Sequence, residues 1–188
     1  MKRSEINEAV LRATAFFKRN HWFLPPEPRW DVTDFGLGDF KKYGLVLVNL
    51  AEEDEYCEKL MYAQKGQTTP CHAHKNKKED IICRVGMINI QVWQGKPDYN
   101  EPKCRLKING KWQEVDSGSI FTLQPGERIS LTPGIYHEFY SAAAESIIGE
   151  VSTFNDDEND NFFINKDIGR YTEIDEDTLP IVKLVSDE

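Results

Sequence analysis

The amino-acid sequence predicts a mainly β fold, a sandwich or barrel preceded by one helix, and three observations carry that reading. First, nine short runs rich in Val, Ile, Leu, Phe and Tyr follow one another, each bounded by turn residues, at 44–50, 56–64, 79–84, 87–93, 105–108, 119–123, 128–131, 135–141 and 146–151. Short strands at such close spacing belong to a sandwich or barrel. Second, residues 4–19 place Ile6, Val10, Ala13 and Phe17 at the i, i+4, i+7, i+11 spacing of an amphipathic helix, with Ser4 positioned to cap it. Third, 188 residues with 39% hydrophobic and 11% aromatic content suffice for one domain with a sizeable core.

The remaining segments join these elements. Residues 22–38 are rich in Pro and aromatic side chains (Pro25, Pro26, Pro28, Trp30, Phe35), which suits an irregular arm packed on a surface. After Val151 comes a polar Asn/Asp cluster and then an acidic tail, neither resembling a second domain. The expected organisation is a single domain: helix and arm over 1–43, β core over 44–154, and polar segment and tail over 155–188.

Charge narrows the partners. With 23 Lys plus Arg against 32 Asp plus Glu the net charge is -9, and no long basic block exists to meet phosphates, so neither nucleic acid nor an anionic membrane is the expected partner. A small molecule or a second copy of the chain is. No apolar run approaches the roughly 20 residues of a membrane span, and the first residues put acids where a signal peptide needs an apolar stretch, so a cytoplasmic location is expected. The four cysteines (Cys57, Cys71, Cys83, Cys104) form no C-x-x-C pair and read as reduced.

The stretch from Gly66 to Gly86 carries the chemistry. His72 and His74 stand at i and i+2, so on a strand both imidazoles project from one face while Cys71 and Ala73 face away. The polar turn 75–78 lets the next strand return antiparallel, and Glu79 at its start adds a carboxylate on the same side. Farther on, Pro133-Gly134-Ile135-Tyr136-His137 delivers a third histidine just after a tight turn. Three imidazoles and a carboxylate suit manganese, iron, nickel, cobalt or zinc, and leave open positions on a six-coordinate ion. The bland alternative, ordinary polar strand residues, suits a lone histidine better than four ligand types at these spacings.

This pattern resembles the cupin motifs. Gly-x5-His-x-His-x4-Glu-x6-Gly is met by Gly66, His72, His74, Glu79 and Gly86; the second motif is met loosely, with Pro133 and Gly134 adjacent, His137 in place and Ser141 where an Asn is usual. The resemblance implies a cupin-type β-barrel, or jelly roll. Downstream, Gly149-Glu150-Val151-Ser152-Thr153-Phe154-Asn155-Asp156-Asp157-Glu158-Asn159-Asp160-Asn161 resembles the signature of D-lyxose isomerases, small manganese-dependent cupin sugar isomerases. The helix, the aromatic arm, Trp30-Asp31-Val32-Thr33-Asp34-Phe35-Gly36 and Lys59 resemble that family too, so the likeness spans nearly the whole chain.

The resemblance implies a metal-dependent aldose–ketose isomerase interconverting D-lyxose and D-xylulose, and with them D-mannose and D-fructose, by proton transfer through a cis-enediol(ate). A divalent ion, manganese first, acidifies the C2 proton, and a carboxylate in a partly apolar pocket takes it. Glu150, in the apolar run Ile147-Ile148-Gly149-Glu150-Val151, is the candidate base, against the bland reading of a solvated strand end. Lys59 is a candidate for holding a sugar oxygen or the enediolate, against that of an outward strand cation, with Leu60 facing the core. Among Asp156, Asp157 and Asp160, which otherwise read as an Asx-rich turn, Asp160 is the candidate sugar contact. His21, Trp93, Trp112 and Phe121 read as packing or surface residues. The helix and arm are placed to extend across a homodimer. Two other classes fit the same ligands: a cupin dioxygenase, and a non-catalytic sugar-binding cupin.

Overall fold

A computed structural model describes residues 1–99, 101–154, 156, 159–169 and 172–187. In chain order its elements are α1 (Arg3–Arg19), β1 (Arg29–Thr33), α2 (Phe40–Tyr43), β2 (Leu45–Glu52), β3 (Cys57–Gln64), β4 (Thr68–His74), β5 (Glu79–Val85), β6 (Ile88–Gln94), β7 (Lys103–Ile108), β8 (Lys111–Asp116), β9 (Ile120–Leu123), β10 (Arg128–Leu131), β11 (Ile135–Ser141), β12 (Glu145–Ser152) and β13 (Asn161–Phe163). They form two antiparallel sheets, one of eight strands in the order β1-β2-β3-β12-β5-β10-β7-β8 and one of five in the order β13-β4-β11-β6-β9.

The two sheets face each other across one hydrophobic core, and a second core lies behind the larger sheet. Alternation along β2 shows how the sequence specifies this. Leu45 and Leu47 point between the sheets with Met61, Ile81, Ile90 and Phe139, whereas Val46 and Val48 point out and meet α1 through Ile6, Val10, Ala13 and Phe17. A strand buried on both faces reads as a continuous apolar run, and Leu45-Val46-Leu47-Val48 does. All four positions of the expected helical stripe lie between 0% and 2% exposed.

Five elements differ from the sequence reading. The helix begins one residue earlier than Ser4. Glu5 accepts from the Lys2 backbone N–H (2.9 Å), while Ser4 sits inside the first turn and donates through N and Oγ to Asp177 (2.9 and 2.7 Å). The arm is not wholly irregular, since Arg29–Thr33 pairs with β2 as the edge strand β1. Strands β8 and β13 were not anticipated; β8 is mostly exposed, so it lacks the apolar run that marks a strand, although Asn109-Gly110 between Ile108 and Lys111 is a hairpin signal. Finally, β5 does not return beside β4: β4 pairs with β11 and β13, β5 with β12 and β10, so 75–78 crosses from one sheet to the other.

The tail is held. Arg3, 3% exposed, forms ion pairs with Glu176 (2.6 Å) and Asp187 (3.0 Å), Asn7 donates to the Leu179 carbonyl (2.8 Å), and Leu184 is buried in the core beneath α1. No helix among the described residues is long and apolar enough to cross a membrane.

Candidate metal centre and active site

The crossover at 75–78 builds the centre, because it puts ligands on both inner faces. His72 and His74 point inward from β4, His137 stands opposite His72 in the register of β11, and Glu79 opens β5 on the opposing sheet. A bulge between the pairs His137–His72 and Phe139–Thr69 places an extra residue near Pro70, which has no N–H to lose from the ladder. The Pro70 carbonyl accepts a hydrogen bond from His72 Nδ1 (2.8 Å). His74 Nδ1 donates likewise to the Asp160 carbonyl (3.1 Å) and His137 Nδ1 to the Ile135 carbonyl (3.2 Å). With each Nδ1 occupied as donor, each Nε2 keeps its lone pair for the interior.

These side chains fit a divalent cation. One donor atom from each of His72, His74, Glu79 and His137 lies within 4.8 Å of all the others, and all four residues are buried. His74 Nε2, His137 Nε2 and Glu79 Oε1 have no hydrogen-bond partner, and Glu79 Oε1 stands 3.3 Å from the first and 2.9 Å from the second. A cation between these three buried acceptors would satisfy all of them at once. Burial, with the neighbouring imidazoles, pushes His72 well below the ordinary histidine pKa. Burial would raise Glu79, but the Lys77 charge and the histidines outweigh it and hold its carboxyl well below the usual range. Neutral imidazole and ionised carboxylate are the forms that bind metal.

Gly86, which closes the first motif, has φ +81, and a Cβ there would meet the Glu145 carbonyl at 2.6 Å. Ser141, in the Asn position of the second motif, instead lies 2.9 Å from the Ala143 carbonyl and 2.8 Å from Ser146 Oγ, at the turn into β12.

Beside the cluster lies a cavity of about 180 Å³ between the sheets. Glu150 on β12 and Lys59 on β3 are direct cross-strand partners, 6% and 5% exposed, and both line it. Lys59 and Leu60 are therefore both buried, one toward the cavity and the other under α1. Glu150 does not sit in a merely apolar pocket: Lys77 Nζ lies 2.9 Å from Glu150 Oε1 and 2.9 Å from Glu79 Oε2. Burial alone would lower the Lys77 pKa, but the charges of Glu150 and Glu79 and its hydrogen bonds to both hold it above the ordinary lysine value. Sequence reasoning missed Lys77, because Lys75-Asn76-Lys77-Lys78 reads as a solvated turn.

Asp160 has another place than the expected one. Its Oδ1 accepts from the backbone N–H of Lys75 (3.2 Å) and Asn76 (2.9 Å) and from Asn76 Nδ2 (3.0 Å), its Oδ2 accepts from Lys77 N–H (2.9 Å), and it is not among the cavity's lining residues. It shapes the crossover that aims Lys77 and holds His74. Asp156 accepts from Asn159 N and Nδ2 (both 3.0 Å) as an Asx turn, and Asp157 lies outside the described residues. Cys71 faces away from the histidines, its thiol pushed up to about 12 by burial and by Glu138, and all four cysteines are free.

Comparison with known proteins places the chain in a family. A family model described as D-lyxose isomerase matches residues 27–188. The D-lyxose/D-mannose isomerase of Escherichia coli O157:H7 is 35% identical over 94% of this chain and 93% of its own, and that of Serratia proteamaculans 33% identical over 96% and 94%. Among solved structures, Cellulomonas parahominis L-ribose isomerase with L-ribose superposes with a TM-score of 0.71 over 93% of this chain and 98% of its own at 17% identity, a likeness of fold that makes the two-sheet architecture cupin-type. The family model over residues 27–188 and the relatives at 33–35% identity across nearly the whole length leave one assignment: the chain belongs to the D-lyxose isomerase family and is an aldose–ketose isomerase.

Proposed function

We propose that the chain interconverts D-lyxose and D-xylulose, and D-mannose and D-fructose, with a divalent ion, manganese first, at His72, His74, Glu79 and His137. The observation that carries the reading is a second buried carboxylate, Glu150, joined through one ammonium to the ligand Glu79. The relatives' substrates support the choice of sugars.

When bound, the ion supplies Lewis-acid polarisation of the sugar's oxygens. The chain's own groups do the rest. Glu150 takes the C2 proton of the aldose through a carboxylate oxygen, and the same carboxyl returns a proton to C1 on the same face, passing through a cis-enediol(ate), while the hydroxyl proton moves from O2 to O1. Lys59, its neighbour across the strand pair, holds the oxygen on which charge develops, and Lys77 keeps the two carboxylates apart in function by bonding a different oxygen to each. Met61, Phe139 and Phe163 give the cavity its apolar walls and exclude water. The assembly we propose is a homodimer through α1 and the arm, where Leu11 (61%) and Phe23 (81%) stand exposed.

The test is a metal-reconstituted assay against a panel of free aldoses. Chelation is expected to abolish turnover and manganese to restore it better than magnesium, since imidazole favours later divalent ions. His72→Ala or His137→Ala is expected to lose bound metal and activity together; full metal content in either variant would remove the proposed ligand set. Oxygen uptake without ketose would replace the reading by the dioxygenase one.

A further inference from the structure

We propose that Phe35 sets the length of sugar chain that the cavity admits, by closing the end opposite the Glu150 carboxylate. The inference rests on the isomerase reading for its choice of sugars.

The cavity has the charged groups of the centre at one end, and at the other the rings of Phe35 and Phe163 stand beside Asp31 and Thr33. Glu79, Glu150 and Lys59 occupy β5, β12 and β3 of the large sheet, and β2 and then β1 follow to its edge. Three strand spacings from β12 to β1 amount to about 14 Å. On β1 and just beyond it Asp31, Thr33 and Phe35 alternate toward the cavity. On the opposing sheet His72 packs against Phe163 with ring centroids 5.2 Å apart, and Phe163 meets Phe35 edge-on at 5.8 Å. The Phe35 ring is thus one ring removed from His72 of the candidate metal centre, and Ile168 and Gly169 line the cavity with it.

The backbone shows that the ring's position is imposed. Phe35 has φ +58 and Gly36 φ +72, and the Leu37 N–H donates to the Asp34 carbonyl (3.1 Å), so Asp34 to Leu37 make a turn with both central residues in the left-handed region. Such turns ordinarily take Asn, Asp or Gly at the first central position. Phenylalanine there is strained. The surroundings hold it: Phe35 N–H donates to Thr33 Oγ1 (2.8 Å), Gly36 N–H to Asp34 Oδ1 (3.0 Å), and Gly169 N–H to the Phe35 carbonyl (3.2 Å). Turn geometry asks for a small or Asx residue, while the cavity receives a large apolar wall. A strained side chain at a ligand cavity marks a functional constraint.

D-mannose keeps the D-lyxose configuration at C2 and C3 and adds one carbon at the far end, where Phe35 stands. One carbon in a closed apolar site discriminates by about 10–200-fold. The experiment compares Phe35→Ala, Phe35→Gly and Phe35→Trp with the wild-type protein, loaded with manganese. Two readouts are taken: the ratio of kcat/KM for D-mannose to that for D-lyxose, and, by calorimetry, the ratio of affinities for D-mannitol and D-arabinitol. Phe35→Gly suits the positive φ and is expected to fold even where Phe35→Ala does not. Both ratios are expected to rise about tenfold or more in the Gly and Ala variants and to fall in the Trp variant. Equal changes for the five- and six-carbon members across the variants would overturn the inference and leave Phe35 a packing residue. Wild-type protein that turns over neither aldose would instead sink the isomerase reading, and the alditol ratio would still decide the length question.

Discussion

Lys77 neutralises two buried carboxylates with one ammonium, so its removal acts on both. Lys77→Met leaves Glu79 and Glu150 without their shared cation in a site where these side chains are 2% and 8% exposed. Breaking a buried ion pair from one side costs about 3–5 kcal/mol, and denaturant unfolding of the metal-free protein is expected to show a loss of that order. Glu150→Gln makes the complementary change: the amide keeps the shape and removes the base. We expect normal metal content and a turnover lower by several orders of magnitude; near wild-type turnover would move the base to another group. A proton resting on Glu150 exchanges with water, so the reaction in deuterated water is expected to place deuterium at C1 of the ketose. None after long equilibration would point to hydride transfer. The tetrad was singled out by its spacing, Glu150 by its apolar run and the family signature, and Lys59 by the family resemblance alone, and the structure brings these side chains together. Lys77 was not, because its burial is created by the crossover and by Asp160, more than 80 positions away in the sequence.

At the level of elements, the tail and α1 are joined by charges, and the join has a pH limit. Glu176 and Asp177 have their pKa lowered by hydrogen bonds from Arg3 and Ser4 respectively; in Asp187 burial acts to raise it, but the hydrogen bonds from Arg3 and the Leu184 N–H, with the Arg3 and Lys183 charges, together hold it below the ordinary value. Carboxyls with a folded pKa below the unfolded one stabilise fully above the unfolded value, 3.8 for aspartate and 4.5 for glutamate, and lose that contribution as pH falls through the folded one. Hydrogen exchange is therefore expected to show 173–187 losing protection below about pH 4.5 while β12 and β3 stay protected. The same level shows what sequence conveys. All nine apolar runs appear as strands, because runs of Val, Ile and Leu report burial directly. Strand β1 was hidden by the prolines before it and by its edge position, and β13, three residues long, by the Asn/Asp cluster beside it. The partner of β5 was misread because a four-residue polar link looks the same whether it turns a hairpin or changes sheets.

For the whole molecule, the centre ties the two sheets to each other, three ligands from one and one from the other. A cation bound only by the folded state adds about 2.7 kcal/mol at a hundredfold excess over Kd. Melting temperature is therefore expected to rise with manganese concentration and to fall on chelation, and His137→Ala is expected to abolish that dependence. Independence of metal in the wild-type protein would mean that the cluster does not hold an ion in the folded state.

The position of β12 in the large sheet has a further consequence, for the order of events in folding. Residues 145–152 enter between β3 and β5, strands that come some 60 to 90 positions earlier, and until they do the larger sheet is two separate pieces. Local hairpins such as β7–β8 close early, whereas a central strand supplied from so far along the chain closes late. Glu150 rides on that strand, so the last seam to zip is also the one that brings the proposed base to the cavity. In a stopped-flow refolding experiment far-ultraviolet circular dichroism should develop first, with isomerase activity following as a slower, separate phase.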